Sequence, residues 1–130
     1  MLKKLFNRAK AAISGLPSDA GGNLAAITRF GESALGEVTQ ALHEIHSPDL
    51  HIDVLHFAPN SERDFHYLIT SGMSDRAMTD SGVAIDEPFW ELTIALPGHW
   101  QINAAAAKDA ALWAPIRLLK ELARYPSSAW

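Results

Sequence analysis

Tyr67-Leu68-Ile69-Thr70-Ser71-Gly72-Met73-Ser74-Asp75-Arg76 changes character halfway along its length. The first half reads as a strand that buries apolar side chains. The second half turns small and polar around a glycine, with a methionine, an aspartate and an arginine close together. A polar loop at the end of a buried strand is a common place for recognition groups, because the strand gives rigidity and the loop gives chemistry. The partner of this strand lies just upstream. His51 to Phe57 puts Ile52 and Val54 on one face and Leu55 and Phe57 on the other, as expected of an interior strand covered on both sides. Ala58-Pro59-Asn60-Ser61-Glu62-Arg63-Asp64 reads as the turn between them, so the two strands are expected to be antiparallel neighbours. Phe89 to Leu96 is a third strand, in which Trp90, Leu92, Ile94 and Leu96 alternate with Glu91 and Thr93.

Helices are expected around these strands. Residues 1–16 space Leu2, Leu5, Phe6, Ala9, Ala12, Ile13 and Leu16 as an amphipathic N-terminal helix, set off by Leu16-Pro17-Ser18-Asp19-Ala20-Gly21-Gly22. Such a helix docks on protein more often than on a membrane surface. Leu35, Val38, Leu42 and Ile45 suggest a second helix over Glu32 to Ile45, ended by Ser47-Pro48-Asp49. A last helix is expected from Pro115 to Arg124, with proline in its first turn. The expected fold is α+β, with a mixed or mainly antiparallel sheet packed against helices. Residues 23–126 form the main domain. Gly72 to Pro88 is a long connection between strands, and long connections without structure of their own are usually functional or disordered.

Composition narrows the function. The chain of 130 residues carries a net charge of −4 and no cysteine, which excludes disulfides, thiolate metal sites and a cysteine nucleophile. No apolar run approaches the ~20 residues that span a bilayer, and contact with a membrane is not expected. Charge is unevenly spread. Four cations and no acid precede Asp19, whereas Phe30 to Asp109 holds thirteen acids against Arg63, Arg76 and Lys108. So acidic a middle segment repels nucleic acid and favours a basic partner.

The motifs argue against common chemistries. Ser71-Gly72-Met73-Ser74 is not the Gly-x-Ser-x-Gly of a nucleophile elbow. No phosphate-binding Gly-x-x-x-x-Gly-Lys or dinucleotide Gly-x-Gly-x-x-Gly occurs. Five histidines, His43, His46, His51, His56 and His66, cluster in sequence. His43 and His46, three apart on the expected helix, have a spacing that can clamp zinc, which gives one alternative: a small metal-dependent enzyme using them with a nearby carboxylate. They are not the His-Glu-x-x-His of zinc proteases, and His51 and His56 belong to opposite strand faces. Asp53, Asp64 and Asp75 are further candidates for a divalent cation. The histidines read better as solvated or hydrogen-bonded structural groups, and no metal or cofactor is expected. Trp90, Trp100, Trp113 and Trp130 all lie at or after the third strand, as core or as binding anchors. A further alternative is a regulatory protein that oligomerises through the leading helix.

Several blocks resemble the suppressor-of-fused domain family. They are His51-Ile52-Asp53-Val54, Leu68-Ile69-Thr70-Ser71-Gly72-Met73-Ser74-Asp75, Glu91-Leu92-Thr93-Ile94-Ala95-Leu96-Pro97 with Trp100, and Trp113 through Pro126. The resemblance implies a protein-binding module without catalytic residues. Animal members restrain a transcription factor by gripping a peptide from it. The short, cysteine-free chain is more similar to bacterial members, which include immunity proteins that neutralise toxins. It therefore implies a cytoplasmic protein that binds another protein, a basic toxin among the candidates. The expected partner contacts are Ser71, Met73, Ser74, Asp75 and Arg76, unless that block serves only to shape the sheet. Family members continue past Tyr125-Pro126 with further strands. A sheet lacking them exposes an edge and favours a homodimer.

Overall fold

A computed structural model describes residues 23–43, 50–80, 83–84, 86 and 88–129. The expected leading helix over residues 1–16, together with His46 and Trp130, lies outside them. The described chain runs α1 (Leu24–Leu35), β1 (Gln40–Leu42), β2 (Asp53–Phe57), β3 (Phe65–Ser71), a 3-10 turn (Met73–Asp75), β4 (Thr79–Asp80), β5 (Val83–Ala84), β6 (Thr93–Pro97), a second 3-10 turn (Ala106–Lys108) and α2 (Ala110–Ala129). Strands β1, β2, β3 and β6 form one antiparallel sheet in that order, and β4 and β5 form a small hairpin of their own. The α+β class holds, and β2 and β3 are the interior antiparallel pair that the two-sided apolarity of β2 requires.

Successive residues of a strand face opposite ways, and here both faces are covered. Val54, Leu68 and Leu96 pack with Ile116 and Leu119 of α2, joined by Ile102 and the partly buried Trp100 and Trp113. Leu55, Phe57 and Ile69 pack on the other side with Leu24, Ile27 and Leu35 of α1. Leu50, Ile52, Met73 and Ala123 extend the core beneath the later turns of α2. A fully buried Phe or Leu contributes about 1.5–3 kcal/mol, so Phe57, Leu55 and Leu68 are principal anchors. Gly31 lets α1 lie close on the sheet: a Cβ there would come within 2.4 Å of Phe57 Cζ.

Three expectations need correction. The helix expected over Glu32 to Ile45 starts and ends earlier, and Gln40–Leu42 is an edge strand. Gly36, at φ 89°, leaves the helical conformation after α1. Within β1 successive residues alternate as a strand requires, Ala41 reaching the α1 side and Leu42 the α2 side. The last helix begins at Ala110, so Pro115 lies inside it and not in its first turn. Asp109 opens it, its Oδ1 accepting from the Ala111 and Leu112 N–H groups at 2.9 and 3.3 Å. The third strand begins at Thr93 rather than Phe89, and Phe89 and Trp90 are exposed. Trp100 is part of the core margin, donating from Nε1 to the Leu112 carbonyl at 3.0 Å.

Arg63 accounts for one of the few cations in the acidic segment. Its guanidinium donates to the carbonyls of Ala58 (2.8 Å), Phe65 (3.2 Å), Phe57 (3.4 Å) and Leu35 (3.4 Å), tying the β2–β3 turn to the end of α1. Its charge is thus used within the fold.

Candidate functional site

β3 ends at Ser71, and the chain must then turn sharply beneath the segment that leads into β2. Gly72 makes that turn at φ 135°, where a Cβ would fall 1.9 Å from the His51 carbonyl oxygen. Only glycine meets both demands. The 3-10 turn follows, closed by Asp75 N–H to Gly72 O at 3.1 Å. The amides of Gly72 and Ser74 both point at one carboxylate.

That carboxylate is Glu91. Oε1 accepts from Gly72 N–H (2.9 Å), Ser74 N–H (2.9 Å) and Ser74 Oγ (2.6 Å), and Oε2 accepts from Thr70 Oγ1 (2.6 Å). Asn23 completes the ring, its Nδ2 donating to Ser74 Oγ at 3.1 Å. Thr70 also holds the incoming chain, because its N–H donates to Leu92 O at 2.9 Å and its Oγ1 accepts from Leu92 N–H at 2.8 Å. Burial pushes the Glu91 carboxyl above the usual glutamate range, and the hydrogen bonds from Ser74, Thr70 and Gly72 pull the other way.

The polar block therefore binds an internal anion. Ser71, Met73 and Ser74 are buried, while Asp75 and Arg76 are exposed. Asp75 is bonded by the Asn23 backbone N–H and lies near His51, and burial on balance raises its pKa. The role of Glu91 escaped sequence reading because alternation assigned it to solvent. The register offers a signal: β3 and β6 pair Ile69 with Thr93, which places Glu91 opposite Ser71, at the mouth of the glycine turn.

The connection that follows is zipped at both limbs. Ser74 holds Glu91, and Met78 N–H donates to Pro88 O at 2.6 Å. The two limbs thereby bring Asp75 and Arg76 into the same region as Phe89 and Trp90, which remain 40% and 47% exposed. Asp86, in the same connection, is exposed.

The histidines separate into two groups. His66 Nε2 lies 3.2 Å from the Gly98 carbonyl, which can only accept, so this nitrogen carries the proton. With the proton on its Nε2, His66 accepts at Nδ1 from His56 Nε2–H (2.8 Å), and His56 Nδ1 accepts from the Gln40 amide (3.0 Å). Burial first, and then the charges of His66 and Arg63, lower the His56 pKa to about 4. This is a buried structural ladder, as the hydrogen-bonded reading of the histidines expects.

The second group differs from the expected pairing of His43 with His46. His43 is not helical; it follows β1. Its Nδ1 stands 3.0 Å from Asp53 Oδ2, and His51 Nε2 stands 2.7 Å from Asp53 Oδ1. Asp64 lies in the turn at the far end of the β2–β3 pair from Asp53, so these carboxylates do not share a cation. Lys120 of α2 is half-buried and close enough for Asp53 to act on it; burial lowers its pKa and Asp53 opposes the shift.

The family model described as Suppressor of fused protein (SUFU) matches residues 48–130. The matched span takes in the glycine turn, Glu91 and all of α2. No curated protein and no solved structure matches the chain.

Proposed function

The chain belongs to the suppressor-of-fused family, and on that premise we propose that it is a non-enzymatic protein-binding module that engages a basic partner. The fuller form of the proposal is an immunity protein of the bacterial cytoplasm that neutralises a partner toxin. One observation carries the binding role: the Glu91 cradle and the Met78–Pro88 bond pin the two ends of a connection while leaving Phe89, Trp90, Asp75, Arg76 and Asp86 exposed. Pinned ends lower the ordering cost of binding, and exposed aromatics are preferred anchors of protein interfaces. The glycine-turn residues Ser71, Met73 and Ser74 act in this reading by shaping the loop, and Asp75 and Arg76 by touching the partner.

Charge supports the partner's sign. Arg63 is engaged within the fold, which leaves Arg76 and Lys108 as the exposed cations of a segment rich in acids. The partly buried Glu91 and the buried Asp53 do not add to the outer field in the same measure, but Asp75, Asp86, Asp64, Glu62 and Asp109 are exposed. Steering of this kind raises the association rate and weakens with salt. No described helix is long and apolar enough to cross a membrane.

The test is recovery of the partner from the native host with the full chain as bait, followed by binding kinetics against salt. A basic protein whose association slows as salt rises is the expected result. Association with an acidic protein, insensitive to salt, contradicts the charge argument.

A further inference from the structure

We propose that His43, His51 and Asp53 form a binding site for a divalent transition-metal ion of borderline softness, such as Zn2+, Co2+ or Ni2+. The site follows from the topology. The β1–β2 register pairs Leu42 with Val54, so the next residues, His43 and Asp53, stand opposite each other across the sheet edge. His51 is two residues before Asp53 in extended chain and projects to the same side. Cross-strand neighbours and residues two apart are the positions from which a strand pair can bring three side chains to one point.

Distances agree with this use. One ligand atom from each residue lies within 4.8 Å of the others. Donors bound to one ion at about 2.0–2.2 Å stand roughly 3.3–3.6 Å apart in tetrahedral geometry. The His51–Asp53 separation of 2.7 Å and the His43–Asp53 separation of 3.0 Å fall short of that range by about 0.6 and about 0.3 Å, an adjustment within reach of side-chain rotation. As it stands, the carboxylate accepts one imidazole N–H on each oxygen, and an ion would replace those protons with a shared charge.

Burial is arranged suitably. The Asp53 side chain is 8% exposed and held at the head of an interior strand, whereas His43 and His51 are 61% and 53% exposed. A fixed carboxylate with two accessible imidazoles leaves the remaining coordination positions open to water. Two nitrogens and one carboxylate suit Zn2+ and its neighbours, while Mg2+ and Ca2+ require a fuller set of oxygens. Two further charges face the group: Lys120 from α2, acting on Asp53, and Asp75 from the 3-10 turn, acting on His51. Their signs are opposite, so neither dominates the site's field.

The experiment titrates Co2+ and Zn2+ into the full chain, purified without a polyhistidine tag and stripped of metal, by visible absorbance and calorimetry. One ion per chain is expected, with binding weakened about tenfold or more in each of His43→Ala and His51→Ala. Both imidazoles are exposed, so circular dichroism is expected to show both variants folded. His99→Ala, an exposed histidine elsewhere, is expected to bind as the parent does. Failure to take up stoichiometric metal overturns the assignment. So does binding that survives both substitutions but is lost in His46→Ala or His99→Ala.

Discussion

Ser74 Oγ donates to Glu91 Oε1 at 2.6 Å while accepting from Asn23 Nδ2 at 3.1 Å, which links the start of α1, the glycine turn and the approach to β6 through one hydroxyl. Three segments far apart in sequence are fixed at a single point. The carboxylate receives two backbone and two hydroxyl donors, so its removal and its neutralisation have different costs.

Glu91→Ala strands those donors, and a buried unsatisfied donor costs about 1–3 kcal/mol. Relief of the carboxylate's own desolvation offsets part of this, leaving an expected loss of about 2–4 kcal/mol in urea unfolding. Glu91→Gln keeps one oxygen for Gly72 and Ser74 and is expected to cost about 1 kcal/mol or less. Equal losses in the two variants would show that the cradle does not select its carboxylate.

Gly72→Ala forces a Cβ to 1.9 Å from the His51 carbonyl at a φ of 135°. The loop must move, and the expected destabilisation is about 3 kcal/mol or more. Because the turn organises the connection, partner binding is expected to fall with it. Thermal unfolding and a binding titration check the two effects separately.

Buried His56 and partly buried Glu91 give stability opposite dependences on pH. His56 titrates near 6.5 when unfolded and at about 4 when folded. Below pH 6.5 the unfolded chain takes a proton that the folded chain refuses, so stability from this source is complete above pH 6.5. It is lost progressively towards pH 4, by on the order of 2 kcal/mol. Glu91 acts in the reverse sense: its folded pKa is raised above 4.5, so the folded chain binds its proton first as pH falls, and stability gains across that window. Chemical denaturation from pH 7 to 4 is expected to show the histidine loss, with a partial recovery at the acidic end that Glu91→Gln lacks. A His56 ring proton that titrates near 6.5 in the folded protein would contradict this account.

Trp90→Ala removes an exposed aromatic anchor from the connection. It is expected to weaken partner binding about tenfold or more while changing stability by less than about 0.5 kcal/mol. Asp86→Lys, at an exposed position, is expected to slow association at low salt and to match the parent at high salt. Surface plasmon resonance at two ionic strengths distinguishes the contact from the steering.

Much of the scaffold was legible in the chain itself. Apolar residues on both faces of Asp53–Phe57 demanded an interior strand, and a breaker-rich turn followed by Phe65–Ser71 demanded its antiparallel neighbour, because hydrophobic period and turn chemistry are local properties. Gly72 was visible as a break in that pattern, though not as the position that avoids the His51 carbonyl. Residues 38–42 were misread because Leu35, Val38 and Leu42 suit a helical stripe, and only the sheet edge offered by β2 decides for a strand. The site required the folded chain. Glu91 looked like the solvent side of an alternating strand, and His51 and His43 looked unrelated. Their partners are chosen by strand register, and register is set by side chains meeting across the sheet, which no stretch of sequence contains alone.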